Sequence, residues 1–222
     1  MAHLLDGVMS ARAHPVWDRV TDVASRHGFY LAGGTGLALY LHHRQSADLD
    51  FFVHGDFDPG AIYEELSCLD LSLVARSMGS NTLNVLCETV TVQFLGVSAE
   101  HRLSATRSFG AVNVAAVPDI LAMKVNAVLG RAKLRDYFDL MRIDQDTPYP
   151  LEHGVDLFLA RYPPRVPEQT VGALIRSLGY LEDVEDDGAV PVARRDLERF
   201  WARRHVEIAV NVSRSDGWRP SW

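Results

Sequence analysis

Asp48-Leu49-Asp50 is the pair of acids in this chain with the most chemical promise. Two residues apart on a strand, both carboxylates project from one face, and Leu49 points the other way into a core. Carboxylates held together repel, and a cation relieves the repulsion. Hard oxygen ligands of this kind suit Mg²⁺, which takes a few carboxylates and fills its octahedron with substrate phosphates. The plainer alternative is a strand end carrying two solvated acids. A second group is Gly33-Gly34-Thr35, set between an apolar run and a helix. Glycine lets backbone approach a ligand closely, and the amides of a helix N-terminus favour anions such as phosphate. Many Gly-Gly pairs serve turn geometry alone. Only one helix fits between this loop and the acids, so both are expected at the ends of neighbouring strands, facing one cleft.

A third group lies further along. Lys124, Ala127 and Arg131 share a helix stripe, and Asp136 and Asp139 lie one turn apart on the next helix. The pattern fits a phosphate-binding wall braced by carboxylates. It fits equally an interhelical salt-bridge network of structural value. On the strand Val90-Thr91-Val92-Gln93-Phe94, the valines and phenylalanine share one face and Thr91 and Gln93 the other.

The elements that must position these groups follow from periodicity. Val16, Trp17, Val20, Val23 and Ala24 recur at helical spacing over 14–27, and Gly28 is the expected stop. Phe29 to Ala32 is a short apolar strand, Leu37 to His42 a helix, and Asp48 to Val53 a strand. Asp58 caps and Pro59 opens a helix to about Ser67. Strands are expected over 70–78, 82–87, 90–96 and 112–115. Five helical patterns follow, over 119–129, 135–142, 151–160, 167–178 and 192–208. The acidic stretch Glu182 to Gly188 reads as an exposed loop, and the tail from Ser213 to Trp222 carries two tryptophans without a clear place. The fold class is therefore α/β (α+β): a mixed-sheet core over 1–116, then a helical domain over 117–222 that completes the site.

Composition narrows the function. Hydrophobic residues at 47% and charged residues at 23% are ordinary for a globular protein. No apolar run approaches the ~20 residues that cross a bilayer, so no membrane partner is expected. The start of the chain lacks a basic segment leading into an apolar one, which argues against a secretory signal and for a cytoplasmic location. Cys68 and Cys87 belong to no metal-spaced pattern, in keeping with reduced thiols. A net charge of −7 provides no global field toward nucleic acid, though a small acceptor RNA is not excluded by it.

Two blocks carry a family resemblance. Gly33-Gly34-Thr35-Gly36-Leu37-Ala38-Leu39, followed by His43-Arg44-Gln45-Ser46-Ala47-Asp48-Leu49-Asp50-Phe51-Phe52, resembles the nucleotidyltransferase toxins of the AbiEii/AbiGii type. Lys124 through Asp139-Leu140 matches the same family's Lys-x-x-Ala-x-x-x-Arg-x-x-x-Arg-Asp-x-x-Asp pattern. The resemblance covers about residues 29–140 and implies a polymerase-β-like nucleotidyltransferase core. It implies an enzyme moving a nucleotide from a nucleoside triphosphate to an acceptor, with transfer RNA ends as one acceptor class, in a bacterial toxin–antitoxin setting. By that resemblance Asp48 and Asp50 are the metal ligands for Mg²⁺. Gly33, Gly34, Thr35 and Ser46 surround the triphosphate, Lys124 and Arg131 neutralise phosphate charge, and Asp136 is an acid near the reaction. Arg44 and Ser46 shape the loop ahead of the acids. A cognate antitoxin protein is the implied partner. The sequence departs from the wider superfamily at Gln93, where a third carboxylate often stands. Glutamine hydrogen-bonds but serves neither as base nor as strong metal ligand. Two other readings are thereby open: an aminoglycoside-type small-molecule nucleotidyltransferase, and a catalytically degenerate nucleotide-binding or interaction member.

Overall fold

Regular apolar spacing produces the elements that hold the acids, and the first is a helix that ends where a glycine allows it. The computed structural model describes residues 2–97, 102–131 and 133–214. The chain divides into two compact units, Met1–Val117 and Pro118–Trp222.

The first unit begins with α1 (Ala2–Leu5) and a 3₁₀ turn over Ala11–Ala13. In α2 (His14–Arg26), Pro15 sits in the first turn, where its missing N–H loses no bond. Val16, Trp17, Val20, Val23 and Ala24 are all buried on one face of it. Gly28, at φ +72°, turns the chain into β1 (Tyr30–Ala32). Then follow α3 (Gly33–Leu41), β2 (Asp48–His54) and α4 (Pro59–Ser67). Asp58 caps α4, its carboxylate accepting from Gly60 N at 2.8 Å and from Ala61 N. Such a cap stabilises by about 1 kcal/mol. The hairpins β3 (Leu73–Gly79), β4 (Thr82–Cys87) and β5 (Val90–Val97), then β6 (Arg107–Phe109) and β7 (Val112–Val114), complete the unit.

These strands form one mixed sheet in the order β3-β4-β5-β2-β1-β7-β6. β2 runs antiparallel to β1 and parallel to β5, so it is an interior strand with a neighbour on each side. Leu49 and Phe51 on β2, Val92 and Phe94 on β5, and Leu83 and Val85 on β4 point to one face and are buried with the α2 and α4 side chains. Each such side chain contributes roughly 1.5–3 kcal/mol on leaving water. The phenylalanines also stack, with Phe51 and Phe94 centroids 5.3 Å apart. Alternation then forces the polar residues of β2 and β5 onto the opposite face.

The second unit is helical among its described residues: α5 (Val117–Arg131), α6 (Leu134–Asp146), α7 (Leu151–Arg161), α8 (Pro167–Gly179) and α9 (Arg194–Arg214). Trp201 of α9 is fully buried, edge-on to Tyr137 of α6. Asp119 and Arg161 pair in the interior. Arg204 on α9 reaches Asp144 of α6 at 2.9 Å and Glu152 of α7 at 2.6 Å. Hydrogen bonds from Arg204 outweigh burial and hold the Glu152 carboxyl at about 2, well below its ordinary 4.5. A depressed carboxyl contributes stability above its unfolded value and loses it as pH falls through the folded one. Melting temperature should therefore drop steeply from pH 4.5 toward pH 2, and Arg204→Ala should flatten that part of the profile. An unchanged slope in thermal melts of the variant would remove Glu152 from the account.

Several elements differ from expectation, among them α1, the 3₁₀ turn and the start of β3 at Leu73 in place of residue 70. The helix expected from Leu37 starts at Gly33, so the Gly-Gly pair lies in its first turn. β6, Arg107–Phe109, has no apolar alternation and is largely exposed, which is why periodicity passes over it. The acidic stretch 182–188 forms neither helix nor strand, but it is tied down, with Asp186 2.9 Å from Arg194. Of the tryptophan-bearing tail, residues 215–222 lie outside the described residues.

Candidate active site

Asp48 and Asp50 are the first and third residues of β2, half-buried, on either side of the fully buried Leu49. The core residue between them locks the register, because slipping by one residue would bury both carboxylates and expose Leu49. Ala32, the last residue of β1, is the direct neighbour of Asp50. The chain then turns at once into α3. Gly33 has φ +64°, a conformation that L side chains rarely adopt, and a Cβ there would collide with Asp50 Oδ2. The glycine thus brings the start of α3 directly against the second carboxylate.

Gly34 is confined from the other side. A Cβ on it would lie 2.6 Å from Arg44 Nη2 and 3.1 Å from Ser46 Oγ. Arg44 and Ser46 come from the link between α3 and β2, which starts where His42 adopts φ 48° and ends the helix. Arg44 is buried, with Nη1 donating to the Gln45 carbonyl at 2.9 Å. Ser46 is tied through its N–H to the Val8 carbonyl at 2.8 Å. Gly33, Gly34, Arg44, Ser46 and Asp50 therefore form one neighbourhood around the N-terminus of α3. Helix N-termini and guanidinium groups both favour anions.

Thr35 makes a contact that its motif does not announce. Its hydroxyl is fully buried and donates to the Asp48 backbone carbonyl. It braces the strand that carries the acids.

The fit of a hard divalent cation can be tested on the donor set. Two carboxylates on alternate residues of one strand face offer oxygen ligands of the right kind. Among the described residues no group of three His, Cys, Asp or Glu forms a closed metal cage. The anion-favouring amides of the α3 N-terminus stand beside the two carboxylates. The paired carboxylates are of the chemical kind that a hard divalent cation takes.

On the far side of β2, Gln93 of β5 is the direct partner of Asp50 and Thr91 that of Asp48. Val90, Val92 and Phe94 are buried and Thr91 and Gln93 are half-buried, as the alternation required. Sequence reasoning missed Asn84 of β4, which pairs with Gln93. No local signal could have found it, because the pairing depends on the register between two strands.

In the helical unit, Lys124 of α5 lies 2.7 Å from Asp136 Oδ1 and 2.7 Å from Asp139 Oδ2 of α6. All three are buried. Burial disfavours the ammonium, but Asp139 and then Asp136 outweigh it and hold Lys124 above its ordinary 10.5. The salt-bridge network weighed from the sequence is thus present within this unit. The role assigned to Arg131 concerns a side chain outside the described residues.

Gly33→Ala should leave the fold in place and displace the Asp50 carboxylate. A misplacement of that order lowers turnover by about 10²-fold. Turnover of the variant within a few-fold of wild type would remove Gly33 from the site.

Known proteins resemble this chain in sequence and in fold. Residues 16–70 match the family described as "Nucleotidyl transferase AbiEii toxin, Type IV TA system", a segment that holds the Gly-Gly turn and both aspartates. An uncharacterised protein of Aquifex aeolicus is 27% identical over 192 residues, covering 83% of this chain and 86% of that one. A putative nucleotidyltransferase from H. pylori superposes with a TM-score of 0.61 at 17% identity, over 92% of this chain and 97% of that one. MenT4, a nucleotidyltransferase toxin of Mycobacterium tuberculosis, gives a TM-score of 0.61 at 16% identity, over 94% and 86% of the two chains. The mixed sheet with its interior acid-bearing strand is the polymerase-β-like nucleotidyltransferase fold. Across residues 16–70, from α2 through both aspartates of β2, this chain is similar to the AbiEii nucleotidyltransferase toxin family.

Proposed function

We propose that this protein moves a nucleoside monophosphate from a nucleoside triphosphate to a hydroxyl of an RNA acceptor, transfer RNA included. It would act as the toxin of a bacterial toxin–antitoxin pair, in the cytoplasm, with a cognate antitoxin protein as its restraint. The observation that carries the reading is the close approach of Gly33 to Asp50, which joins an anion-favouring helix start to paired carboxylates.

The acceptor oxygen attacks the α-phosphorus, a new O–P bond forms, and the bond from that phosphorus to the bridging oxygen breaks. Pyrophosphate leaves with the bonding electrons, and the hydroxyl proton passes to water. Asp48 and Asp50 would hold Mg²⁺, which would supply neutralisation of the phosphate charge. Gly33 and Gly34 let the α3 amides approach the triphosphate, and Arg44 adds a cation beside them. Thr35 keeps β2 in place through the Asp48 carbonyl. The family pattern assigns Lys124 to phosphate charge; what the helical unit supports is the holding of that ammonium by Asp136 and Asp139.

The test is transfer of α-labelled phosphate from each of the four ribonucleoside triphosphates, with Mg²⁺, to total bacterial RNA. The same reaction is run with aminoglycosides as acceptors. A labelled RNA band is expected. Label on the aminoglycoside alone would overturn the acceptor class, and no label on either would overturn the activity.

A further inference from the structure

The polar face of the sheet continues beyond Asp50, and it continues without charge. Asp50 of β2, Gln93 of β5 and Asn84 of β4 are direct partners in successive strands, so their side chains emerge in one row on one face. Neighbouring strands lie about 4.8 Å apart, which puts the Gln93 carboxamide beside the Asp50 carboxylate and Asn84 beside Gln93. Both are half-buried. Asn84 Oδ1 is buried, and no donor among the described residues reaches it. An acceptor atom in that position is costly unless something donates to it.

The row also lies on a definite side of the reaction. β1 and the start of α3 flank one side of β2, and β5 flanks the other. Phosphates gathered at the α3 N-terminus therefore put the leaving pyrophosphate on the β1 side. In-line displacement brings the nucleophile from the opposite side, where Gln93 and Asn84 stand. The charge of this flank selects among nucleophiles. Strands β3, β4 and β5 contain no aspartate or glutamate, and their one charged residue is Arg76, exposed where the β3–β4 register shifts. A polycationic acceptor would find no carboxylate there. A ribose hydroxyl on an anionic strand meets neutral hydrogen-bonding groups and no repulsion.

We propose that Gln93 and Asn84 are the acceptor-binding residues of this enzyme, holding a ribose hydroxyl of an RNA end by neutral hydrogen bonds. The assignment rests on the nucleotidyltransferase reading given above. Asn84 Oδ1 accepts from a sugar hydroxyl or an exocyclic amine, and the Gln93 amide donates to the attacking oxygen. Neither takes the proton, which leaves to water as the O–P bond forms and pyrophosphate departs.

The test is steady-state transfer by the full chain with Mg²⁺, labelled triphosphate and bulk transfer RNA, for wild type, Gln93→Ala, Asn84→Ala and Asn84→Asp. Losing one such hydrogen bond, about 1.4 kcal/mol, should raise KM for RNA by about tenfold in each alanine variant. KM for the triphosphate should stay within about twofold, since the phosphates bind on the other side of β2. Asn84→Asp, isosteric but charged, should raise KM for RNA further through repulsion. That variant also separates binding from folding, because it keeps the shape and moves only one KM. An unchanged KM for RNA, or equal rises in both KM values, would overturn the assignment while leaving the activity standing. A wild type that labels no acceptor would take down the activity and this assignment together.

Discussion

Asp50→Asn is expected to lower transfer by about 10³-fold, roughly 4 kcal/mol of transition-state stabilisation, with the fold unchanged. The asparagine keeps the volume that Gly33 packs against and removes the charge. On the proposed reading, one carboxylate on Asp48 would hold a divalent cation less well than two, and the phosphate charge that builds during displacement would lose its counterpart. Folding should tolerate the change, because asparagine keeps the shape of the aspartate and can still accept and donate hydrogen bonds. The melting temperature should therefore shift little. Asp48→Asn should behave alike, with its backbone carbonyl still receiving the Thr35 hydroxyl. The measurement is label transfer and a thermal melt on the same preparation. A rate within about twofold of wild type would return both acids to the status of a solvated strand end.

Much of this site is legible in the chain because its signals are local. Alternation over Asp48 to Phe52 fixes which residues face the core, and the structure buries Leu49 and Phe51 and leaves both acids half-exposed. Asp58-Pro59 announces a helix start by cap and ring geometry, and α4 begins at Pro59. Where the reading falls short, the cause is tertiary. Glycines 33, 34 and 36 read as a break, yet α3 runs through them. Its first turn is held by the Thr35 hydroxyl on the Asp48 carbonyl, a contact between elements that periodicity cannot report. The row from Asp50 through Gln93 to Asn84 is hidden for a related reason. Each residue is visible on its own strand, but their adjacency exists only once two strand pairings are set. Helical spacing did put Lys124, Asp136 and Asp139 on facing stripes. It could not choose between a free cation and one already neutralised, since that depends on distances.

Those distances make Lys124→Met a test of folding. The ammonium is the partner of two buried carboxylates, and methionine fills much of the lysine volume while removing the charge. Two acids would then face each other in the interior of the helical unit, and breaking a buried ion pair from one side costs about 3–5 kcal/mol. In a unit of this size 1 kcal/mol is worth roughly 4–8 °C, so its melting temperature should fall by more than about 12 °C. Replacing Asp136 and Asp139 by asparagine and leucine in the Lys124→Met background should recover most of the loss, because a neutral, volume-matched cluster leaves no stranded charge. Lys124 is held above its ordinary 10.5, so its contribution is fully present below that pH and is lost as pH climbs through the raised folded value. The wild-type helical unit should therefore weaken in strong alkali, and the neutral triple variant should lack that step. Lys124→Met with a melting temperature within about 2 °C of wild type would mean that the two acids find other cations, and that the ion triad does not hold α5 to α6.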